Sequence, residues 1–263
     1  MTKLLVSRAF GRRHILDSEL RRDLEQRLLE YAGDYGIVLS EEQARLIVAH
    51  LDLVIEKNKV INLTRITEPA EGLVLHCVDS LMPLALISSQ IGSQDVVLDL
   101  GTGAGFPGIP LAIATGAHSV LIDSVGKKVN AVNDFATVLG LDNVEALHVR
   151  AEELAIERPE SFSYVFARAV AQSNVLVEYA APLLKMNGLL VLEKANPTED
   201  ELAAAKRAAK ICGMKFVSRE TCELPDGLGH REILQYQKVA KPKIRLPRQN
   251  GMAKNQPLGI KLS

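Results

Sequence analysis

Hydrophobic and polar residues recur along this chain in two different rhythms. Up to about residue 91 the spacing is helical. From Arg21 to Tyr35 the apolar residues Leu24, Leu28, Leu29 and Tyr31 recur at three- and four-residue steps, which predicts an amphipathic helix. Ser40-Glu-Glu-Gln43 fits a capping box, in which Ser40 accepts a backbone N–H and Gln43 reaches back to the cap. Behind it Leu46, Ile47, Leu51, Val54 and Ile55 make one apolar face. A third helical stretch is predicted from Pro69 to Ile91.

Near Asp95 the rhythm changes to short β-branched runs. Strands are predicted at Val96 to Leu98, leading into Asp99, and at Val120 to Ile122, leading into Asp123. Others fall at Val144 to Val149, Tyr164 to Ala167, Leu189 to Leu192, Lys215 to Val217 and Glu232 to Tyr236. Helical stretches separate them: one opening at Pro107 and Gly108, one from Gly126 to Leu139 with Gly140 as C-cap, one from Gln172 to Lys185, and one from Glu199 to Ile211. This alternation predicts an α/β fold, a seven-stranded, mostly parallel sheet covered on both faces. Right-handed crossovers bring the strand C-termini to one edge, where ligands bind beside the first strand. Asp99, Asp123, Glu152 and Arg168 all fall at or just past predicted strand ends. The chain divides into a helical N-terminal extension over residues 1–70, a Rossmann-like domain over 71–240 and a basic tail over 241–263.

Composition narrows the class. The chain has 263 residues, 47% hydrophobic and 24% charged, with a net charge of -1. A bulk electrostatic drive towards nucleic acid is therefore absent. No apolar run approaches the ~20 residues of a membrane helix. Glu71, Asp79 and Pro83 interrupt the longest candidate. Cys77, Cys212 and Cys222 are odd in number and widely spaced, which points to a reducing, cytoplasmic setting without disulfides or a zinc site. His14, His50, His118 and His148 show no metal-ligand spacing. The stretch up to Arg13 is basic but lacks an apolar core and a cleavage site, so it reads as an arm rather than a targeting peptide. From Lys241 the chain carries Lys243, Arg245, Arg248, Lys254 and Lys261 and no acid. Taken alone, this is a solvated terminus.

The loop Gly101-Thr-Gly-Ala-Gly-Phe-Pro-Gly108 is the strongest chemical signal. Gly103 to Gly108 formally satisfies the dinucleotide pattern G-x-G-x-x-G, with Asp123 at the expected distance of about 20 residues. A second reading includes Asp99 ahead of Gly101, Gly103 and Gly105. A pyrophosphate gains nothing from a carboxylate at that place. S-adenosylmethionine has no phosphate but carries an ammonium, a sulfonium and a ribose diol, all suited to nearby carboxylates. Asp99 thus favours the methyl donor. A structural glycine turn is the third reading.

Several motifs then occur in a fixed order. They are Asn58-Lys-Val-Ile-Asn-Leu-Thr64, His76-Cys-Val-Asp-Ser-Leu81, Asp99 to Pro110, Asp123-Ser-Val-Gly-Lys-Lys128 and Ala167-Arg-Ala169. This combination resembles the glucose-inhibited division protein B family, and the likeness runs from about Ser40 to Gln237. The ending Leu246 to Leu258 is similar to the basic C-terminus of some members. The resemblance implies a class I S-adenosylmethionine-dependent methyltransferase acting on N7 of a guanine in 16S rRNA of the small ribosomal subunit. It implies cofactor contacts at Gly101, Phe106, Ala151, Glu152 and Arg168. Phe106 stands where some members carry Leu, and Ala167 where others have Ser. The stretch before about Asp17 has no counterpart.

Guanine N7 carries a free lone pair and no proton, so no general base, metal or nucleophile is required, and no catalytic side chain is expected. Asp123 is the candidate acceptor for the ribose hydroxyls, or an N-cap. Glu152 stands by the adenine or is a solvated charge. Arg168 pairs a carboxylate or phosphate, or forms a structural ion pair. Asn58, Asn62 and Thr64 line a pocket or end a helix. His76 and Asp79, three apart, should share a helix face as a catalytic or a structural pair. His230-Arg231 is a candidate RNA contact, and the basic tail gains interest as a phosphate-binding arm. The chain is expected to act as a monomer. A dinucleotide-dependent oxidoreductase and a noncatalytic RNA-binding or assembly protein on the same fold are the rival readings.

Overall fold

The computed structural model describes residues 16–87 and 90–260. The N-terminal basic arm and Lys261 lie outside the described residues.

Helix α1 (Ser18–Asp34) begins at Asp17, whose carboxylate accepts the backbone N–H groups of Glu19 and Leu20. This cap sets the start earlier than the first apolar residue suggested. Leu24, Leu28 and Ala32 are its buried stripe. Helix α2 (Glu41–Asn58) opens on the expected box: Gln43 N donates to Ser40 Oγ at 3.2 Å, and Ser40 N to Gln43 Oε1 at 2.8 Å. Gln43 Nε2 also donates to the carbonyls of Ile113 and Ala114, both at 3.0 Å. One side chain thus caps its own helix and satisfies carbonyls at the end of another.

The third helical stretch is not a single α-helix. Helix α3 (Pro69–Gly72) runs into a π-helical segment, Leu73–Val78, and then into α4 (Asp79–Leu86). Single π turns inside helices are rare and gather at functional sites.

The sheet contains β1 (Val96–Leu100), β2 (His118–Asp123), β3 (Val144–His148), β4 (Phe162–Arg168), β5 (Leu184–Lys194), β6 (Met214–Glu223) and β7 (His230–Lys238). Its order is β3-β2-β1-β4-β5-β7-β6. Strand β7 is antiparallel to β5 and β6, and the remaining pairs are parallel. This is the expected seven-stranded Rossmann-like sheet. The crossovers hold α5 (Gly108–Thr115), α6 (Gly126–Leu139), α7 (Ala151–Glu157), α8 (Ser173–Ala180) and α9 (Glu199–Ile211). Gly140 caps α6 in the left-handed conformation, as expected. Helix α8 stops at Ala180, short of Lys185, because Pro182 cannot continue it and the chain turns into β5.

Two faces of the sheet are covered differently. Leu98, Val165, Leu190 and Leu234 pack with Leu176 of α8 and Ala205 of α9. Val97, Phe166, Val191 and Ile233 line the other face. There Leu24, Leu28, Ile47 and Leu51 of α1 and α2 join Ile109 of α5 and Phe135 of α6 in one core. Each such fully buried leucine contributes about 2 kcal/mol. The N-terminal helices are therefore a layer of the main core.

After β7 the chain folds back over the body. Leu246 and Leu258 pack on the α8–α9 side. Asn174 Nδ2 donates to Leu258 O at 2.8 Å, and Arg207 Nε to Gly259 O at 2.5 Å. The short helix α10 (Met252–Asn255) lies in this segment. Through residue 260, then, the tail is docked rather than solvated.

Candidate active site

Strands β1 and β4 are neighbours in the sheet, but their crossovers leave in opposite directions, which opens a crevice at their C-terminal ends. The glycine loop fills its floor. Gly101 N and Thr102 N donate to Ile122 O at 2.8 and 2.9 Å. Gly101, Gly103 and Gly105 all have positive φ. At Gly101, φ is +76° and an added Cβ would sit 2.7 Å from Val170 Cγ2. At Gly108 the constraint is close packing: a Cβ would lie 2.6 Å from Leu121 Cγ and 2.7 Å from Asp99 Oδ2.

Asp99 is placed differently from its expected part. It is 1% exposed, and Oδ2 accepts Gly108 N at 3.0 Å, at the start of α5. Burial pushes its carboxyl up to about 6, although the hydrogen bond from Gly108 N acts the other way. It closes the loop from behind and does not line the crevice. The same contact weighs against a pyrophosphate, because the helix N-terminus that would hold one already faces a carboxylate.

A cleft of about 300 Å³ lies outside the strand ends, lined among others by Gly101, Asp123, Val125, Ala151, Glu152 and Val170. Asp123 Oδ2 accepts Gly103 N at 3.1 Å, and Oδ1 accepts Val125 N at 2.9 Å. It is not the N-cap of α6, which is Val125; it braces the turn before that helix and borders the cleft. Glu152 is 7% exposed and accepts Gly251 N at 2.9 Å. It is not a solvated charge. Apolar walls at Val125, Ala151 and Val170 with two carboxylates at the edge suit a nucleoside with free hydroxyls and an amino group. A larger hollow, about 360 Å³, sits at the opposite sheet edge beside Lys185 and Asn187, away from the glycine loop.

Sequence reasoning missed Lys128, Tyr179 and Lys254, which also line the cleft. Lys128 stood inside a quoted motif. Tyr179 and Lys254 carry no local signal, since long-range packing brings them there.

Phe106 and Arg168 belong to a second cluster, against the π segment. The Phe106 ring stacks on His76 at 4.7 Å and 13°, and packs on His50 at 4.4 Å. The Arg168 guanidinium lies 5.8 Å from the Phe106 ring centre. His50 Nε2 donates to Ala104 O at 2.9 Å, and His76 Nε2 lies 2.8 Å from Thr64 Oγ1. Burial lowers His50 to about 3 and His76 to about 4, the second also through Arg168. Both rings are neutral at neutral pH.

Asp79 does not pair with His76. The bonding of the π segment turns each residue through less of the axis than an α-helix does, so positions three apart part company. Asp79 instead bridges two arginines: Arg168 Nη1 donates to Oδ2 at 3.0 Å and Arg231 Nε to Oδ1 at 2.9 Å. Arg168 Nη1 also donates to Leu75 O at 3.1 Å. The structural ion pair weighed for Arg168 is present, and Arg231 faces inward instead of offering itself to RNA. Glu193, in register with Arg168 and Ile233, lies between them with both carboxyl oxygens buried and without a hydrogen bond. Burial raises its pKa well above the usual range. Asn58 closes its own loop, accepting Leu63 N at 2.7 Å and Thr64 N at 3.0 Å, while Asn62 is exposed.

The sequence profile of the rRNA small subunit methyltransferase G family, GidB, matches residues 43–233. The chain belongs to this family. A ribosomal RNA small subunit methyltransferase G of Lactococcus lactis subsp. cremoris is 39% identical over 86% of this chain and 95% of its own. Its counterpart in Lactobacillus johnsonii is 36% identical over 85% and 95%. That of Desulforamulus reducens is 36% identical over 90% and 99%. The matched span covers the glycine loop, Asp123, Ala151, Glu152 and Arg168, and ends before the docked tail. No described helix is long and apolar enough to cross a membrane. Among the described residues, no group of three His, Cys, Asp or Glu is arranged to hold a metal.

Proposed function

We propose that this chain transfers a methyl group from S-adenosylmethionine to N7 of a guanine in 16S rRNA of the small ribosomal subunit. Membership of the methyltransferase G family carries the reading. The cleft supports it, because Asp123 and Glu152 border it at the switch point of the sheet, where they would meet a nucleoside. When bound, S-adenosylmethionine supplies an electrophilic methyl group on sulfur.

The residues proposed to hold it are Gly101, Gly103, Asp123, Ala151 and Glu152. Asp123 would accept from the ribose hydroxyls, and Glu152 would stand by the adenine. Asp99, Gly105 and Phe106 would shape the loop that sets the reacting end. Held by these residues, the donor would offer its methyl carbon to the lone pair of guanine N7 and would keep the carbon–sulfur electrons on sulfur. No proton moves. The chain's contribution is alignment and exclusion of water. Neutral His50 and His76 suit this step, since a buried imidazolium would oppose a base that is becoming cationic. Action as a monomer in the cytoplasm, where ribosomal RNA is modified, completes the reading.

The test is transfer from labelled S-adenosylmethionine to purified small-subunit rRNA and to assembled subunits, followed by nucleoside mass mapping. Labelled N7-methylguanosine is expected at one site. Binding of RNA without transfer would instead identify a noncatalytic assembly protein.

A further inference from the structure

The docked tail passes the cofactor cleft before returning to the α8–α9 side. Arg248 is anchored first: Nε donates to Glu178 Oε1 at 2.7 Å and Nη2 to Oε2 at 2.6 Å, and Glu178 is 3% exposed. A second bond from Arg248 Nη2 to Gln256 O at 2.9 Å ties the segment to itself. A buried bidentate pair of this kind fixes both position and orientation. From that anchor the chain reaches α7. Asn250 Nδ2 donates to Glu153 Oε1 at 2.7 Å, and Gly251 N donates to Glu152 Oε1 at 2.9 Å. Tyr179 lines the same cleft, and its hydroxyl pKa rises to about 12 through burial and the carboxylates of Glu152 and Glu178. Three residues later Lys254 forms part of the cleft wall.

Distribution of charge argues in the same direction. Of the tail's cations, Arg248 is neutralised by Glu178 and Lys254 faces the cleft. Lys241, Lys243 and Arg245, on the stretch before the anchor, are exposed. The segment beyond Arg248 thus runs along the cofactor side of the molecule, with Lys254 exposed at the cleft edge.

We infer that residues 248–254 form a strap that completes the adenosine side of the cofactor cleft and positions Glu152 through the Gly251 N–H. Arg248, Asn250 and Gly251 act as positioning residues. This rests on the proposed use of S-adenosylmethionine. Docking of the strap and filling of the cleft share Glu152, so coupling between them acts to the same degree in both directions, and a strap that positions Glu152 makes that coupling favourable.

The test uses the full chain and S-adenosylhomocysteine, the demethylated product, as probe. By calorimetry Arg248→Ala should weaken its binding about tenfold, near 1.4 kcal/mol. Arg248→Lys should recover part of the loss. KM for S-adenosylmethionine should rise with it, while KM for rRNA stays within twofold. In the unaltered protein, saturating S-adenosylhomocysteine should slow tryptic cleavage after Lys254 by at least fivefold. Unchanged product affinity in Arg248→Ala with an increased KM for rRNA would overturn the strap and make the tail an RNA arm. Cleavage after Lys254 at the same rate with and without product would overturn it even if the variant fails to fold. Failure of the unaltered protein to bind S-adenosylhomocysteine at all would instead remove the cofactor reading beneath it.

Discussion

The two halves of the site are built in opposite ways. On the β2–β3 side, carboxylates border an open cleft, and Asp123 and Glu152 hold backbone N–H groups while facing it. On the β4–β5 side the charges face one another. Asp79 joins Arg168 to Arg231, Glu193 lies buried in register with Arg168, and Phe106 is closed in by two neutral histidines. The first half is organised to receive a small, rigid molecule and the second to keep its own geometry. For a reaction that needs alignment and no proton transfer, that division is sensible: under the proposed function the donor would be caught in a preformed cleft with its reacting end towards a stiff wall.

Breaking the stiff half should produce the largest effect. Removing one member of a buried ion pair leaves its partners uncompensated, which typically costs about 3–5 kcal/mol. Asp79→Ala strands two arginines at once, so its expected loss in urea-induced unfolding is about 3 kcal/mol or more. Affinity for S-adenosylhomocysteine in the fraction that stays folded should change less than threefold. A variant as stable as the parent would mean that the arginines are already satisfied elsewhere and that the wall is not built on Asp79.

The open half is probed by Asp123→Ala. A hydrogen bond to a charged group contributes about 1.5–3 kcal/mol. Binding of S-adenosylmethionine should therefore weaken by about 10- to 100-fold. Wild-type affinity by calorimetry would reject Asp123 as the hydroxyl acceptor and leave it as a brace for Gly103 and Val125.

The contrast between the halves also separates what was legible in the sequence from what was not. The sheet, its strand ends and the glycine loop were readable, because β-branched runs ending in Asp99 and Asp123 are local signals. So were the Ser40–Gln43 box and the Gly140 cap, each complete within a few residues. The π segment was invisible, since Leu73 to Val78 has the same apolar pattern in an α-helix. Its presence separated His76 from Asp79 and gave Asp79 two arginine partners far away in sequence. Asp99 was read correctly as part of the loop, but whether a carboxylate at a strand end points into the crevice or under the following helix depends on strand register and packing. The tail was misread as solvated for a similar reason. Its anchor, Glu178, lies 70 residues before Arg248, and no local pattern announces that pairing.

The smallest expected effect tests the neutrality of the stiff half through pH. His76 is lowered in the folded protein to about 4 from an ordinary 6.5, chiefly by burial and also by Arg168. The unfolded chain takes up a proton there below about 6.5 while the folded chain does not, so this group removes stability as pH falls from 6.5 towards 4. Asp99 acts in the opposite direction. Its folded pKa is raised to about 6 from 3.8, so the folded chain takes up a proton first and gains stability as pH falls through that window. Glu193, also raised by burial, does the same. The whole-protein profile is therefore a partial cancellation and says little by itself. The difference between the parent and His76→Phe isolates one group, because the carboxyl contributions are common to both and the phenyl ring preserves stacking on Phe106. Between pH 7.5 and 5.5 the parent should lose about 1 kcal/mol more than the variant, following about 1.4 kcal/mol per unit once the pH is below the unfolded pKa. Equal losses in the two proteins would show that His76 takes up its proton as readily folded as unfolded, and that its packing against Phe106 does not keep the ring neutral.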